Sequence, residues 1–348
     1  MPYGFTDLRA LQAAGFDAIL DVRSPSEFAE DHVPGAISMP VLSDAERAEV
    51  GTIYVQESPF TARKMGAALV ARNAARHIEE RLMQHGGGWR PLVYCWRGGQ
   101  RSGSFASILQ QIGWRAEVLE GGYRTWRRHV VARLYEAELP VRVIRLDGFT
   151  GTAKTEVLTR VGALGGQVID LEGLANHRGS ILGDVVGDQP AQKGFESALV
   201  TALSTLDPAR PVLVEAESAR IGTLRLPPAL WVAMRDAPRI VLEAEPAARA
   251  RYLAAIYADL VADRDGLTRR LNGLRALAGN ATVEDWLALL DAGEAEALAA
   301  SLIDVHYDPA YARLRREDAS AVLATVDGGD LGATALDRAA ARVLAALP

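Results

Sequence analysis

Short apolar runs that end in polar residues alternate with amphipathic stretches through residues 1–138. The run DAILDVRS is typical of a buried strand, and RPLVYC is a second run of the same kind. The stretch AEVLEGGYRTWRRHVVARLY predicts a strand, a Gly-Gly turn and then an amphipathic helix. Strands and helices in alternation predict an α/β fold, with functional groups at the carboxyl ends of the strands.

The alternation starts again after a proline, in EAELPVRVIRLDGFTG, so we place a domain boundary near Glu138. Three further buried-strand candidates follow, in GGQVIDLEG, RPVLVEAES and PRIVLEAE. From Pro246 onward an Ala/Leu/Arg-rich composition predicts helix. The sequence therefore predicts two α/β domains, 1–138 and 139–348, the second with a helical C-terminal region.

The composition is that of a globular protein and limits the kinds of site that the chain can build. The 348 residues are 49% hydrophobic and 24% charged, and no apolar stretch approaches the length of a membrane span. The N-terminus lacks the pattern of a secretion signal, so we expect a cytoplasmic protein without a membrane partner. The single cysteine excludes an internal disulfide framework and any multi-cysteine metal site.

The net charge of −6 conceals a basic segment. Residues 72–145 contain 13 arginines and 6 glutamates, with no lysine or aspartate. A local basic surface can hold a polyanion on an acidic protein, because salt screens charges beyond about 10 Å. The segment is equally compatible with solvated helix faces. Within it, Arg124, Arg127 and Arg128 are candidate RNA or phosphate contacts.

The only cysteine, Cys95, directly follows a predicted strand, and a probable helix, GSFASILQQIG, begins soon after it. A strand–loop–helix turn directs backbone N–H groups and a helix dipole at one point, which binds oxyanions and lowers a thiol pKa. Arg97 and Arg101 strengthen both effects, while Gly98 and Gly99 allow the backbone to curl. The alternative is a buried, inert cysteine.

The segment GFTGTAKT follows the strand VRVIRLD and precedes a helix, which is the context of a phosphate-binding P-loop. In such a loop Lys154 reaches the terminal phosphates and Thr155 ligates Mg²⁺. Ala153 replaces the usual glycine, and its methyl group is tolerated if the backbone there is helical. The alternative is a chance Gly-Thr turn. The predicted loop residues are Gly148, Thr150, Gly151, Thr152, Ala153, Lys154 and Thr155.

Polar residues after the later strands could complete this site. Glu215 and Glu217 end the apolar run RPVLVEAES, where a P-loop protein keeps the carboxylate that supports Mg²⁺, and the sequence does not choose between them. His177 and Arg178, in DLEGLANHRGS, and Arg220 are candidate phosphate or RNA contacts, although a solvated loop explains them as well.

The segments LDVRSPSEFAEDHVPGAISMP, the cysteine loop and LEGGYRTW together resemble a rhodanese domain. That resemblance implies a cysteine that forms a persulfide and transfers sulfur or selenium. Rhodanese loops often have four residues between cysteine and arginine, whereas five separate Cys95 from Arg101 here. The longer loop resembles that of the cell-cycle phosphatases, which surrounds a whole phosphate group, and suggests an anion with tetrahedral phosphorus.

The ordered set CWRGGQRS, GFTGTAKTEVL, DLEGLANHRGS, EAESARIG and HYDPAY resembles the bacterial tRNA 2-selenouridine synthases over nearly the whole chain. Ala153 and Gln100, where a methionine is expected, depart from that pattern. The resemblance implies geranylation of a wobble 2-thiouridine from geranyl diphosphate, followed by replacement of the S-geranyl group with selenium from selenophosphate. It also implies binding of a tRNA anticodon arm, and a partner enzyme that supplies selenophosphate.

On this resemblance, the P-loop with Mg²⁺ holds geranyl diphosphate, and Cys95 accepts or relays selenium. Trp96 or another aromatic residue is a candidate for stacking on bases. The residues expected to hold selenophosphate are Trp96, Arg97, Gly98, Gly99, Gln100 and Arg101.

Three other functions are compatible with parts of the sequence. A cysteine-loop phosphatase would use the same loop, but Tyr94 stands where a histidine is expected before the cysteine. An ATP-dependent kinase or ATPase with a regulatory rhodanese module would use the P-loop. A non-catalytic RNA- or partner-binding protein would not need to keep its cysteine.

Overall fold

The structure is a computed structural model that describes residues 2–180 and 187–348, without the side chains of 314–317. The chain divides into two compact units, and elements are numbered in chain order. The first unit comprises Met1–Glu138 and Pro190–Thr205, and the second comprises Leu139–Gln189 and Leu206–Pro348. Within the described part of the chain, every helix is too short or too polar to cross a membrane.

The first unit contains a four-stranded parallel sheet in the order β2-β1-β3-β4. The strands are β1 (Ala18–Asp21), β2 (Ala36–Ser38), β3 (Pro91–Tyr94) and β4 (Glu117–Val118). The helices are α1 (Leu8–Ala13), α2 (Pro25–Glu30), α3 (Asp44–Gln56), α4 (Pro59–His77), α5 (Gln100–Ile112), α6 (Tyr123–Val131) and α9 (Gln192–Thr205). Two π-helical turns, Ile78–Leu82 and Ala132–Glu136, continue α4 and α6.

The middle strands of this sheet lie in the core because their residues are apolar on both faces. All four residues of β3 are buried, and Val93 packs in one cluster with Leu20 of β1 and with Phe105 and Leu109 of α5. A parallel strand with both faces covered reads as a continuous apolar run, as RPLVYC does. The register pairs β1 with β3 in parallel, so the carboxyl ends of both strands lie at the same edge of the sheet.

A buried charged pair lies at this edge. The guanidinium of Arg23 donates a 2.6 Å hydrogen bond to Asp21, and the Tyr94 hydroxyl donates to the same carboxylate at 2.7 Å. Arg23 also donates to the Asp31 carbonyl oxygen and lies 4.0 Å from the centroid of the Tyr123 ring. Buried charges are stable only when they are paired and hydrogen-bonded, and each of these groups is.

Helix α9 belongs to the first unit through polar contacts. Ser197 donates to the Asp31 carboxylate at 2.9 Å and accepts a hydrogen bond from the indole of Trp126 at 3.0 Å. Glu196 is buried, forms an ion pair with Arg127 and accepts a hydrogen bond from another residue of the unit. The helix is thereby tied to the sheet although it lies far along the chain.

The second unit contains a five-stranded parallel sheet in the order β11-β10-β5-β7-β6. Its strands are β5 (Val143–Gly148), β6 (Val168–Ile169), β7 (Val212–Glu215), β10 (Arg239–Glu243) and β11 (Val322–Asp327). An antiparallel pair is formed by β8 (Arg220–Ile221) and β9 (Leu224–Arg225). The helices that accompany the sheet are α7 (Lys154–Ala163), α8 (Leu171–Ala175), α10 (Pro228–Arg235) and α18 (Ala333–Ala345).

The C-terminal part of this unit is mainly helical, as its composition predicts. The helices are α11 (Pro246–Ile256), α12 (Ala258–Ala262), α13 (Arg264–Gly273), α14 (Arg275–Ala278), α15 (Asn280–Ala292), α16 (Ala295–Leu302) and α17 (Asp308–Glu317), with a π-helical turn at Ile303–Tyr307. Several of them pack around the buried Trp286. The prediction of helix from Pro246 onward is wrong for β11, an edge strand that pairs with β10.

Replacement of Arg23 by methionine is expected to destabilise the protein by about 3–5 kcal/mol, because it leaves Asp21 buried without a charge partner. Denaturant unfolding followed by circular dichroism measures the change. Arg235→Met removes an exposed ion pair with Asp236 and serves as the control that leaves stability unchanged. Equal unfolding midpoints for Arg23→Met and the wild type would contradict this account of the buried pair.

Candidate functional site

Cys95 immediately follows β3 and is only 4% exposed. The N-terminus of α6 fixes the loop that follows: the backbone N–H of Tyr123 donates to the Cys95 carbonyl oxygen at 2.9 Å, and that of Arg124 donates to the Trp96 carbonyl oxygen at 3.2 Å. Gly122 has a positive φ, and a side chain there would clash with the Cys95 carbonyl oxygen. The Gly-Gly turn of the sequence is therefore what allows α6 to approach the cysteine loop.

The thiol of Cys95 accepts a 3.2 Å hydrogen bond from the hydroxyl of Ser102 on α5. Burial raises the pKa of the thiol, but hydrogen bonds from the Ser102 side chain and from the backbone N–H groups of Ser102 and Arg97, together with the charge of Arg101, bring the pKa below its ordinary value. The loop therefore increases the fraction of thiolate near neutral pH, which is the nucleophilic form of cysteine.

The two loop arginines have different surroundings. Arg101 donates to Glu27 at 2.8 Å, and Glu27 also forms an ion pair with Arg47. Burial raises the pKa of Glu27, but the two arginines outweigh it and hold the pKa below its usual value. Part of the Arg101 charge is thus balanced by Glu27. Arg97 is exposed and acts on the thiol through its backbone N–H.

The predicted P-loop connects β5, the central strand of the second sheet, to α7. Gly148 is close to neighbouring backbone, since a Cβ atom there would lie 2.7 Å from the Leu242 carbonyl oxygen. The Lys154 ammonium donates to the Gly148 carbonyl oxygen at 3.1 Å, and the Thr152 hydroxyl donates to the Phe149 carbonyl oxygen at 2.9 Å. The lysine therefore curls back over its own loop.

Ala153 occupies the left-handed region, with φ of 63° and ψ of 35°. The right-handed helical backbone that would accommodate its methyl group is not the one observed. A left-handed conformation costs an L-residue about 1–2 kcal/mol. The methyl group is buried and packs in the same core cluster as Val157 and Leu158, which offsets part of this cost.

Three glutamates surround the start of α7. The Thr155 hydroxyl donates to Glu172 at 3.0 Å, and Glu215, the last residue of β7, is fully buried beside them. Burial and the nearby charge of Glu172 raise the pKa of Glu215 to about 8, and burial also raises the pKa of Glu217. Burial lowers the pKa of Lys154, but the surrounding acidic side chains outweigh it and raise the pKa overall.

One carboxylate oxygen at this site is free to interact with a ligand. Oε1 of Glu215 is buried and has no hydrogen-bond partner among the described residues. Among residues 2–180 and 187–348, no group of three His, Cys, Asp or Glu side chains has the arrangement of a protein-only metal cage. Mg²⁺ usually takes only one or two protein ligands and completes its shell with phosphates and water, so Thr155 and Glu215 are the residues that could hold it.

The motif HYDPAY supports the P-loop from the C-terminal helices. Asp308 accepts hydrogen bonds from the buried Arg249 at 2.6 and 2.9 Å, and Arg249 also donates to the Thr150 carbonyl oxygen at 2.9 Å. The Tyr311 ring centroid lies 6.0 Å from the Lys154 ammonium. This motif therefore holds the loop and places an aromatic ring beside its lysine.

Both units match known family models. Residues 5–129 match the rhodanese-like domain, and residues 141–278 match the tRNA 2-selenouridine synthase AAA domain. The tRNA 2-selenouridine synthase of Alcanivorax borkumensis is 34% identical over 339 residues, covering 88% of this chain and 91% of that protein. The tRNA 2-selenouridine synthase of Cupriavidus necator is also 34% identical, covering 89% of this chain and 91% of its own.

This chain belongs to the tRNA 2-selenouridine synthase family. The match confirms the family and the fold class predicted from the sequence. In this member of the tRNA 2-selenouridine synthases, the cysteine loop lies in the rhodanese-like unit and the P-loop in the other.

The structure brings four of the predicted RNA or loop residues together in the first unit. Trp96, Arg124, Arg127 and Arg128 line a cavity of ≈ 430 Å³, with Lys193 also in its wall. Arg124 and Arg128 are exposed, whereas Arg127 is engaged by the buried Glu196. The half-buried Trp96 and the exposed Arg124 and Arg128 are of the residue types that bind single-stranded RNA by stacking and by phosphate contacts.

The predicted contacts of the second unit are mostly engaged within the protein. His177 is buried, and its Nδ1 accepts a hydrogen bond from the backbone N–H of Gly179. Arg178 donates to Asp259 at 3.0 Å and lies over the Tyr257 ring. Arg220 is exposed on β8. The role of these residues in phosphate or RNA binding stays a prediction.

Ser102, Glu172 and Glu27 are parts of the sites that the sequence did not predict. Ser102 directly follows Arg101 in the motif CWRGGQRS, and Glu172 lies in the motif DLEGLANHRGS. Ser102 could have been found from the helical geometry, because the first turn of a helix that follows a cysteine loop faces the thiol.

Replacement of Ser102 by alanine is expected to raise the Cys95 pKa and lower the thiolate fraction at neutral pH, because it removes a hydrogen bond to the thiolate. A pH titration of the ultraviolet absorbance of the thiolate measures this pKa, because Cys95 is the only cysteine of the chain. The Cys95→Ala protein serves as the blank. Ser107→Ala, on an exposed position of the same helix, is the matched control. An unchanged midpoint in Ser102→Ala would show that the hydroxyl does not stabilise the thiolate.

Proposed function

We propose that this protein converts 2-thiouridine at the wobble position of tRNA to 2-selenouridine in two steps. A geranyl group from geranyl diphosphate is first attached to the sulfur, and selenium from selenophosphate then replaces the S-geranyl group. Membership of the family supports the overall conversion. The observation that carries the two-step proposal is the presence of two chemically different anion sites, a thiol of lowered pKa in one unit and a P-loop lysine among carboxylates in the other.

The first step belongs to the P-loop. The sulfur of the base attacks C1 of the geranyl group, the C1–O bond breaks, diphosphate leaves with the electron pair, and the base loses its N3 proton. The Lys154 ammonium, which now donates to the Gly148 carbonyl oxygen, can turn toward the leaving diphosphate and stabilise its charge. A charged donor beside a leaving group accelerates a step in which negative charge develops on that group.

Thr155 and Glu215 are the residues that would hold Mg²⁺, with Glu217 close by. The unpartnered Oε1 of Glu215 and the clustering of three carboxylates both favour a cation at this position. Mg²⁺ would neutralise part of the diphosphate charge when it is bound. Glu215 is favoured over Glu217 for this role, because it is the last residue of β7 and its buried Oε1 lacks a hydrogen-bond partner among the described residues.

The second step belongs to the Cys95 loop, and electron counting decides which atom the thiolate attacks. Attack on selenium would make phosphite the leaving group, and an oxidant would then be needed to give phosphate. Attack on phosphorus needs none: the S–P bond forms, the P–Se bond breaks, and hydrogen selenide leaves with the electron pair. A loop with five residues between Cys95 and Arg101 suits a tetrahedral phosphoryl group. Cys95 thus releases selenium without bonding to it.

The released selenide then attacks C2 of the S-geranyl base. The C2–Se bond forms, the C2–S bond breaks, and the geranyl thiolate leaves with the electron pair. Water hydrolyses the phosphocysteine to inorganic phosphate and restores the thiolate. The cavity lined by Trp96, Arg124 and Arg128 supports binding of the anticodon arm in the same unit.

The two steps are expected to fail separately. Lys154→Ala should lower S-geranyl product formation from 2-thiouridine RNA at least about a hundredfold, because it removes a charged donor from the leaving group. Cys95→Ala should accumulate the S-geranyl nucleoside and form no 2-selenouridine. Mass spectrometry of the wobble nucleosides, with geranyl diphosphate and selenophosphate each omitted in turn, measures both.

Lys64→Ala, on the exposed face of α4, is the control and should match the wild type. Undiminished 2-selenouridine in Cys95→Ala would contradict the role of the thiol. Undiminished S-geranylation in Lys154→Ala would instead favour a nucleotide-dependent function of the P-loop. Hydrolysis of ATP, together with competition between ATP and geranyl diphosphate for the site, would favour the same function.

A further inference from the structure

A second cavity of the first unit, of ≈ 510 Å³, lies between α3, α4 and the start of α5. Its size is typical of small-molecule sites. The aliphatic side chains of Leu42, Val50 and Val70 form part of the wall. Three arginines also line it: Arg47, Arg63 and Arg101. An apolar wall beside several cationic groups suits a ligand that is partly hydrocarbon and partly anionic.

Helix α3 contributes apolar side chains that the protein itself leaves uncovered. None of its residues 44–56, all of which the structure describes, is buried. Tyr54, which lines the cavity, is 55% exposed, and Val55 is 83% exposed. A thirteen-residue helix in a globular unit normally buries an apolar face. The uncovered face of α3 therefore leaves apolar surface for a ligand.

The cavity is continuous with the end of the Cys95 loop. Gln100 and Arg101, which follow that loop as the first residues of α5, form part of its wall. The ion pairs of Glu27 with Arg101 at 2.8 Å and with Arg47 at 3.1 Å join the loop to the base of α3. A base held at the Cys95 loop can thus have a substituent in this cavity.

We propose that this cavity holds the geranyl group of S-geranyl-2-thiouridine while selenium replaces it. The inference rests on the proposed function, in which the displaced ten-carbon chain is attached to the atom next to the reacting carbon. That chain must lie within reach of the Cys95 loop during the step. Each methylene group moved from water into an apolar wall strengthens binding about fourfold. The exposed Arg63 lines the same cavity, and its guanidinium can contact a phosphate of a neighbouring nucleotide.

A variant that fills the cavity tests the inference. Ala67 lines the cavity and is exposed, whereas its neighbour Ala68 is exposed on the same helix and does not line it. Ala67→Trp should lower kcat/KM for selenation of an S-geranyl anticodon stem-loop at least about tenfold, because the indole occupies space of the chain. The same variant should process an S-methyl stem-loop like the wild type, and Ala68→Trp should match the wild type on both substrates.

Val50→Asn is a second variant, which makes the wall polar without adding volume. It should show the same selective loss on the S-geranyl substrate. Both variants are compared with the wild type for folding by circular dichroism, and selenophosphate is the selenium donor throughout.

Four results would overturn the inference. Wild-type rates in Ala67→Trp on the S-geranyl substrate would show that the chain lies elsewhere, and an equal loss on the S-methyl substrate would show that the loop itself is disturbed. Loss of geranylation from free geranyl diphosphate, with normal selenation of S-geranyl RNA, would assign the cavity to the donor instead. Wild-type protein that leaves S-geranyl RNA unchanged would overturn the proposed function and this inference together, which distinguishes the two failures.

Discussion

The hydrogen bonds around the Cys95 thiol are the interaction on which the account of the first unit depends. The proposed chemistry requires a negative charge on the Cys95 side chain, which is almost completely buried, and burial alone would suppress that charge. The Ser102 hydroxyl and the backbone N–H groups supply the compensation. Three elements provide these contacts. Cys95 directly follows β3, and α5 starts beside it. The glycines before α6 allow the N-terminus of that helix to donate hydrogen bonds to the loop carbonyl groups.

The second unit also holds buried charged groups, but here a positive lysine lies among carboxyl groups. Lys154 lies among Glu172, Glu215 and Glu217, so the positive charge is stabilised while the carboxyl groups repel one another. This excess of carboxyl groups over the one lysine favours a cation at the site. In the proposed function, the two sites divide the chemistry: one stabilises a leaving diphosphate, and the other attacks a phosphoryl group.

Much of this architecture could be predicted from the sequence. Strands that are buried on both faces and glycine-rich turns each leave a recognisable pattern within a few consecutive residues. DAILDVRS, RPLVYC and VRVIRLDG lead to β1, β3 and β5, and two of them end at the loops that carry Cys95 and Lys154. The packing of α9 in the first unit could not be predicted, because it depends on Asp31 meeting Ser197, 166 residues away. The left-handed Ala153 and the approach of Glu172 to Thr155 depend likewise on tertiary structure.

The most direct test of the central claim is to identify what becomes attached to Cys95 during turnover. Protein mixed with selenophosphate and S-geranyl RNA is quenched within the first turnover, digested, and its single cysteine peptide analysed by mass spectrometry. The account predicts a phosphoryl group on Cys95 that disappears as inorganic phosphate forms, and no adduct in the Cys95→Ala protein. Selenium bonded to Cys95, with phosphorus released before any phosphocysteine forms, would contradict it.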